Sequence, residues 1–229
     1  MDKSFKKGIN DGIPIALGYF SVSFTFGLAA VKAGLYIWQA VFVSLFCLTS
    51  AGQFAGLDIM TAGGSCFEMV AAQLVINLRY SLMSIAVSQK CDNTVTLPKR
   101  FLIGYGITDE IFAVAVGKNK SVSKLYMYGL ILTPVLGWCF GTLFGAILGN
   151  VLPDILTASL GIAIYGMFIA IILPPVRDNK KILFVMAIAV FISCIRYYTP
   201  VRDIITSGFT VIIASVVASV LGAVFFPTE

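Results

Sequence analysis

Long apolar stretches separated by short polar clusters make up this chain from end to end. At about 20 apolar residues per membrane crossing, the pattern predicts helices near residues 13–31, 37–62, 66–88, 101–117, 125–149, 155–174, 182–198 and 204–226. The fourth and seventh are short enough to be tilted, re-entrant or half-spanning, so seven or eight transmembrane segments are expected. The fold class read from this pattern is all-α: a polytopic integral membrane helix bundle forming a single domain over residues 1–229.

Polar residues inside these segments are themselves patterned. In the second, Thr49-Ser50-Ala51-Gly52-Gln53-Phe54-Ala55-Gly56 sets two glycines and three polar side chains within what should be a continuous apolar helix. A helix broken near residues 49–56 opens backbone N–H and C=O groups to a solute, as transporters do at mid-membrane depth. The other reading is a glycine-rich packing contact with Gln53 bonded to a neighbouring helix. The third segment carries Gln73, Asn77, Ser81, Ser84 and Ser88 at helical spacing, with Tyr80 at the edge of the stripe. Such a stripe is expected to face water or partners and not lipid. In the fifth, Gly129, Thr133, Gly137, Gly141, Gly145 and Gly149 place a small residue at every fourth position. That ridge predicts close helix packing, or docking of a second subunit.

Composition agrees with a lipid environment: 59% of the 229 residues are hydrophobic and 12% charged, with a mean hydropathy of +0.95. The net charge of +5 comes from short clusters between apolar runs: Lys3, Lys6 and Lys7; Lys99 and Arg100; Lys118, Lys120 and Lys124; Arg177, Lys180 and Lys181. Such clusters are membrane flanks that bias orientation, and they argue against nucleic acid as a partner. With eight spans and the N-terminus inside, nine basic residues fall on the inner side and six on the outer, a thin bias toward a cytoplasmic N-terminus in a cell membrane. The start, MDKSFKKGINDG, reads as a flank of the first helix and not as a cleaved signal. There is no histidine, and the five cysteines are scattered, so no metal site or other cofactor is expected. Any proton carried near neutral pH must then ride on a carboxylate or a water chain.

Asp109 and Glu110 stand side by side in the apolar fourth segment, where ionised carboxylates are costly unless paired, hydrated or protonated. Arg79, near the middle of the third segment, points about 160° away from Asn77 and needs a carboxylate. Glu68 lies eleven residues earlier, about 16 Å along a helix, so Asp109 or Glu110 is the better partner. A purely structural ion pair is the other reading of Arg79. On a continuous helix Tyr105, Thr108, Asp109 and Phe112 share a face, with Glu110 about 100° away. One acid is then expected to pair with Arg79 and stay ionised while the other cycles a proton. The sequence leaves open which does which.

Internal repetition is a further expectation, with halves near 13–117 and 125–226. Pro14, Phe26-Gly27 and Arg79-Tyr80 are echoed by Pro134, Phe144-Gly145 and Arg196-Tyr197 at offsets of 120, 118 and 117. Polar groups on three helices and a helix break favour a secondary transporter. A channel, or a carrier for another small solute, is the alternative. An enzyme is not expected, since no nucleophile stands with a base or a metal set.

Pro14…Gly18…Phe26-Gly27, Ser50-Ala-Gly-Gln53-Phe54, Asn77-Leu-Arg79 and Thr108-Asp109-Glu110 together resemble the AzlC-type permeases, large subunits of bacterial branched-chain amino acid exporters. The likeness spans the chain in length and segment order, with its motifs in the first half. It implies export of leucine, isoleucine and valine, sometimes methionine, driven by protons and carried out with a small AzlD-like membrane subunit. Two departures stand out. Many relatives have histidine where this chain has Tyr80, and an acidic residue is common where it has Gly161-Ile162-Ala163. For such a substrate, Ser50, Gln53, Asn77, Arg79, Tyr80 and Thr108 are the expected binding residues. Asp109 and Glu110 are the expected proton-coupling pair, and Phe24, Phe26 and Phe54 the apolar wall.

Overall fold

A computed structural model describes residues 2–92, 95–149 and 179–226, with isolated positions between the last two ranges. The sixth expected segment, 155–174, therefore lies almost wholly outside the described residues, as does the Gly161 departure. Every described element is helical apart from one isolated bridge between Cys91 and Val122. The helices are α1 (Lys3–Lys32), α2 (Ile37–Phe46), α3 (Ser50–Thr61), α4 (Cys66–Lys90), α5 (Leu97–Tyr105), α6 (Asp109–Val116), α7 (Lys124–Leu148), α8 (Lys180–Tyr198) and α9 (Ser207–Phe225). Five of them, α1, α4, α7, α8 and α9, are long and apolar enough to cross a membrane.

The chain divides into two compact units, one holding Met1–Gln53 and the stretch from Asn77 through α7, the other holding Phe54–Ile76 and the C-terminal helices. In the first unit α1 and α7 lie side by side and run parallel. The small-residue ridge of α7 is the reason. A Cβ at Gly137 would lie 2.6 Å from the carbonyl oxygen of Ala16, and one at Gly129, Gly141 or Gly145 would meet the carbonyl of Phe5, Phe20 or Phe24. Gly8 and Gly27 of α1 approach the α7 backbone in the same way. Helices this close exchange dispersion contacts along their whole length, which is how they associate where lipid removes the hydrophobic drive. The packing expectation for this ridge is met.

α4 (Cys66–Lys90) returns to the end of the unit where α7 begins. Its C-terminal end is tied to the start of α7, with Asp92 N donating to Val122 O at 3.0 Å and Val122 N to Lys90 O at 3.1 Å. Its apolar face, Phe67, Val70, Leu74, Leu78, Leu82 and Ile85, is exposed at helical spacing, as expected of a lipid-facing stripe.

The second and fourth expected segments are not continuous helices: the break expected near 49–56 is present but lies at 47–49, and the fourth takes the re-entrant form, so neither is a full span. The fourth is a hairpin of two short helices, α5 and α6, parted at Gly106-Ile107-Thr108. Its two ends lie at the same end of the unit. At one, Arg100 Nη1 donates to Ser88 O at 2.6 Å, and at the other Lys118 Nζ pairs with Asp11 at 2.7 Å. Arms of nine and eight residues reach only about 12–14 Å, less than half of a hydrocarbon core about 30 Å thick. The second segment also turns back. Gln53 Nε2 donates to Ser44 Oγ at 2.9 Å, whereas nine residues along a straight helix would separate them by about 13 Å. The turn falls at Cys47-Leu48-Thr49, and Gly52 and Gly56 are helical within α3. Thr49 Oγ1 accepts from Gly52 N at 3.3 Å, so the polar residues there cap a new helix and do not unwind an old one. Gly34 and Gly63, at φ +94° and +69°, turn the chain after α1 and α3 in a conformation that side chains disfavour.

In the second unit a buried acid, Glu68, 2% exposed, meets the start of α9. Its Oε1 accepts from Gly208 N at 3.1 Å and from the Thr206 hydroxyl, so its charge sits on the positive end of a helix. α8 and α9 pack through Phe184 and Phe225, with ring centroids 5.7 Å apart, and Arg196 Nε donates to Ile205 O at 2.9 Å.

Candidate functional site

Three residues mark the middle of the long helices in the first unit: Tyr19 in α1, Arg79 in α4 and Trp138 in α7. The two helix breaks meet at that depth. The Tyr105 hydroxyl, at the tip of α5, bonds the Leu45 carbonyl near the tip of α2, and the Tyr80 hydroxyl bonds the Thr49 side chain in the first break. Half-helices entering from opposite ends thus come tip to tip.

Within this arrangement the two acids have separate partners. Asp109 opens α6 and takes Arg79 Nη1 on both oxygens, at 2.9 and 2.7 Å. Arg79 Nη2 also donates to the Tyr80 hydroxyl at 3.0 Å. The pair is not sealed off, with 46% and 40% of the two side chains exposed. Glu110 instead receives the Tyr19 hydroxyl, whose oxygen also lies 2.6 Å from Thr108 Oγ1. Thr108 caps α6, accepting from Ile111 N at 3.4 Å. Because the helix starts at Asp109, both acids sit in its first turn, where the helix dipole favours negative charge. The expected face shared by Tyr105 with Thr108 and Asp109 does not exist, since Tyr105 belongs to the other arm.

Gln53 stands next to this cluster but is spoken for. It is 2% exposed, gives Nε2 to Ser44, and takes Trp138 Nε1 on Oε1 at 2.8 Å. Ser44 continues to Thr142 at 2.6 Å, and the Tyr19 and Trp138 rings meet edge to face at 5.2 Å. Ser50 opens α3 one residue past the break. Asn77 is half-buried two residues before Arg79. Of the remaining stripe, Ser88 holds Arg100, Ser84 is partly buried and Ser81 is exposed. Gln73 Nε2 lies 3.9 Å from Met69 Sδ in the second unit.

Tyr19 and Trp138 escape the sequence reading, and Thr49 enters it only as part of the irregular 49–56 stretch. A lone tyrosine or tryptophan in an apolar helix ordinarily marks the interface. The available signal was position: Tyr19 and Trp138 fall mid-helix, where an aromatic hydroxyl or N–H needs an internal partner. Among the described residues no three His, Cys, Asp or Glu side chains are grouped to hold a metal ion.

Five long apolar helices and two opposed half-helix pairs meeting over an ion pair define a polytopic helical membrane protein with a polar centre at mid-depth. Residues 14–152 match the sequence model described as AzlC protein, and the chain belongs to the AzlC family. It is 29% identical to the inner membrane protein YgaZ of Escherichia coli, over 61% of this chain and 58% of that protein. It is 31% identical to an uncharacterized membrane protein of Archaeoglobus fulgidus, over 76% of this chain and 77% of the other. A membrane protein of Helicobacter pylori is 30% identical over 62% of each. The chain thus matches less than two thirds of the length of the Escherichia coli and Helicobacter relatives. No solved structure matches.

Proposed function

We propose that this chain is a secondary transporter that exports branched-chain amino acids, leucine, isoleucine, valine and possible relatives such as methionine, in exchange for protons. The observation that carries the reading is the meeting of two helix breaks around Arg79, Asp109 and Glu110. A zwitterion suits such a place. The first turns of α3 and α6 bring positive helix ends here, which favour a carboxylate, and the last turns of α2 and α5 bring negative ends, which favour an ammonium. Arg79, Tyr80, Thr108, Ser50 and Asn77 add polar contacts in this reading. Gln53 joins them by way of its links to Ser44 and Trp138.

The acids divide the work. Asp109, held by Arg79, fixes the tip of α6, while Glu110, held by a neutral hydroxyl, is the proposed proton carrier. Neutralising Glu110 weakens its hold on Tyr19 and frees the hairpin tip to move.

The membrane arrangement in this reading has five full crossings among the described residues, together with two half-membrane hairpins; the expected segment at 155–174 lies outside them. The N-terminus is cytoplasmic. A small AzlD-like membrane subunit is the proposed partner, and co-purification from cells expressing both chains tests it.

Valine-loaded proteoliposomes test the transport reading directly. Saturable efflux stimulated by an imposed pH gradient supports it, and unsaturable flux marks a channel. Glu110→Gln is expected to abolish the stimulation. If Asp109→Asn and Glu110→Gln, inserted at parent levels, both moved valine at the parent rate, the acid-coupled mechanism would be wrong.

A further inference from the structure

At the end of the first unit that holds the N-terminus, the start of α1 and the loop from Gly117 to Ser123 flank an open cavity of about 570 Å³. Lys7, Lys118 and Lys120 line it, with the hydroxyls of Ser4, Ser123 and Tyr126, and no carboxylate does. Two acids touch lining residues without lining the cavity themselves: Asp11 Oδ2 accepts Lys118 at 2.7 Å and the Tyr126 hydroxyl at 2.8 Å, and Asp2 Oδ1 accepts from Ser4 N at 2.7 Å. Lys7 and Lys120 have no ion-pair partner among the described residues. Ser4 and Ser123 Oγ lie 2.8 Å apart, which closes the floor. Ser123 also caps the 25-residue helix α7, so the positive end of that helix dipole faces the same space.

We infer that this cavity binds the phosphate group of an anionic lipid headgroup. Several features converge on that chemistry. The charged side chains of the lining are all lysines and its neutral polar ones are hydroxyls and the Asn119 amide, its volume suits a headgroup, and it sits at the ends of membrane-spanning helices, the depth of lipid phosphates. It also shares an end with Lys3, Lys6, Lys90, Lys99, Arg100 and Lys124, the collection of basic residues that turns toward the anionic cytoplasmic leaflet. The loop that forms it joins α6 to α7, so a bound headgroup holds the base of the arm whose tip carries Asp109 and Glu110. The inference does not depend on which solute is transported.

The test uses the purified full-length chain in uncharged detergent, titrated with phosphatidylglycerol, phosphatidylcholine or inorganic phosphate while the unfolding midpoint is followed. Phosphatidylglycerol is expected to raise the midpoint saturably and phosphatidylcholine to leave it unchanged. The double variant Lys7→Gln/Lys120→Gln is expected to need about thirtyfold more phosphatidylglycerol, at roughly fivefold per lysine. Lys3→Gln/Lys6→Gln removes the same charge outside the cavity and is expected to bind like the parent. An equal loss in both double variants would mean diffuse attraction and overturn the site, as would no response to phosphatidylglycerol. A response to inorganic phosphate alone, lost in Lys7→Gln/Lys120→Gln, would keep the phosphate site and overturn its assignment to lipid.

Discussion

Arg79 and Tyr19 each hold one member of an adjacent acidic pair, and the chemistry of the holder sets what the acid can do. A guanidinium stabilises a charge, whereas a phenol bonds either form of a carboxyl group. Exchanging the charges, Arg79→Asp with Asp109→Arg, is therefore expected to restore insertion and folding relative to either single change. Transport is expected to stay at least tenfold below the parent, because a carboxylate at position 79 no longer offers the bidentate donors that a substrate carboxylate needs. Valine efflux with protein levels measured alongside checks this, and full recovery would make the pair purely structural. Tyr19→Phe keeps the ring against Trp138 and removes only the hydroxyl. It is expected to shift the pH dependence of efflux while leaving the amount of folded protein unchanged. The sequence pointed to Arg79 needing a carboxylate at the right distance. It left Asp109 and Glu110 interchangeable because the choice depends on where α6 begins, and that start is set by Thr108 as a cap.

Helix breaks and helix contacts were legible to different degrees. The glycine ridge of α7 was readable because one side of a helix repeats every three to four residues, and its partner then only had to approach closely. Gly145→Leu is expected to lose most folded protein, since its side chain would enter the Phe24 carbonyl, and overpacking of even a side-chain core costs about 1–3 kcal/mol. Gly18→Ala, with nothing within 4 Å of its added Cβ, is expected to leave the unfolding midpoint unchanged or slightly raised. Fluorescence-detected size exclusion and a melting curve in detergent separate the two. The breaks were harder. Thr49-Ser50 and Thr108-Asp109-Glu110 are both helix-start signals, a capping hydroxyl followed by polar or acidic first-turn residues. Glycines and polar side chains mark the first break near 49–56 but not its capped-turn form, and apolar continuity across 101–117 hides the second, which places the acids mid-helix when they are at a helix start.

At the scale of the molecule, turning two expected spans into hairpins changes which loops share a face. Eight full spans put Lys90, Lys99 and Arg100 opposite Lys118, Lys120 and Lys124, and the basic residues then divide nearly evenly. With α5 and α6 as a hairpin, all six join Lys3, Lys6 and Lys7 at one end of the first unit, and Lys32 alone marks the other. Nine against one is a strong orientation signal, whereas eight full spans divide the same ten residues six against four, a weak one. The sequence held this asymmetry but concealed it, because the sign given to each loop depended on the number of crossings before it. Labelling decides between the two arrangements. In a chain with its native cysteines replaced by serine, Asp92→Cys and Ser121→Cys are expected to react with a membrane-impermeant maleimide from the same side, and only after cells are opened. A cysteine at Leu35, just past α1, is expected to react in intact cells. Labelling of positions 92 and 121 from opposite sides would restore α5 and α6 as a full crossing and would separate Asp109 and Glu110 from the mid-depth meeting of helix tips on which the transport reading rests.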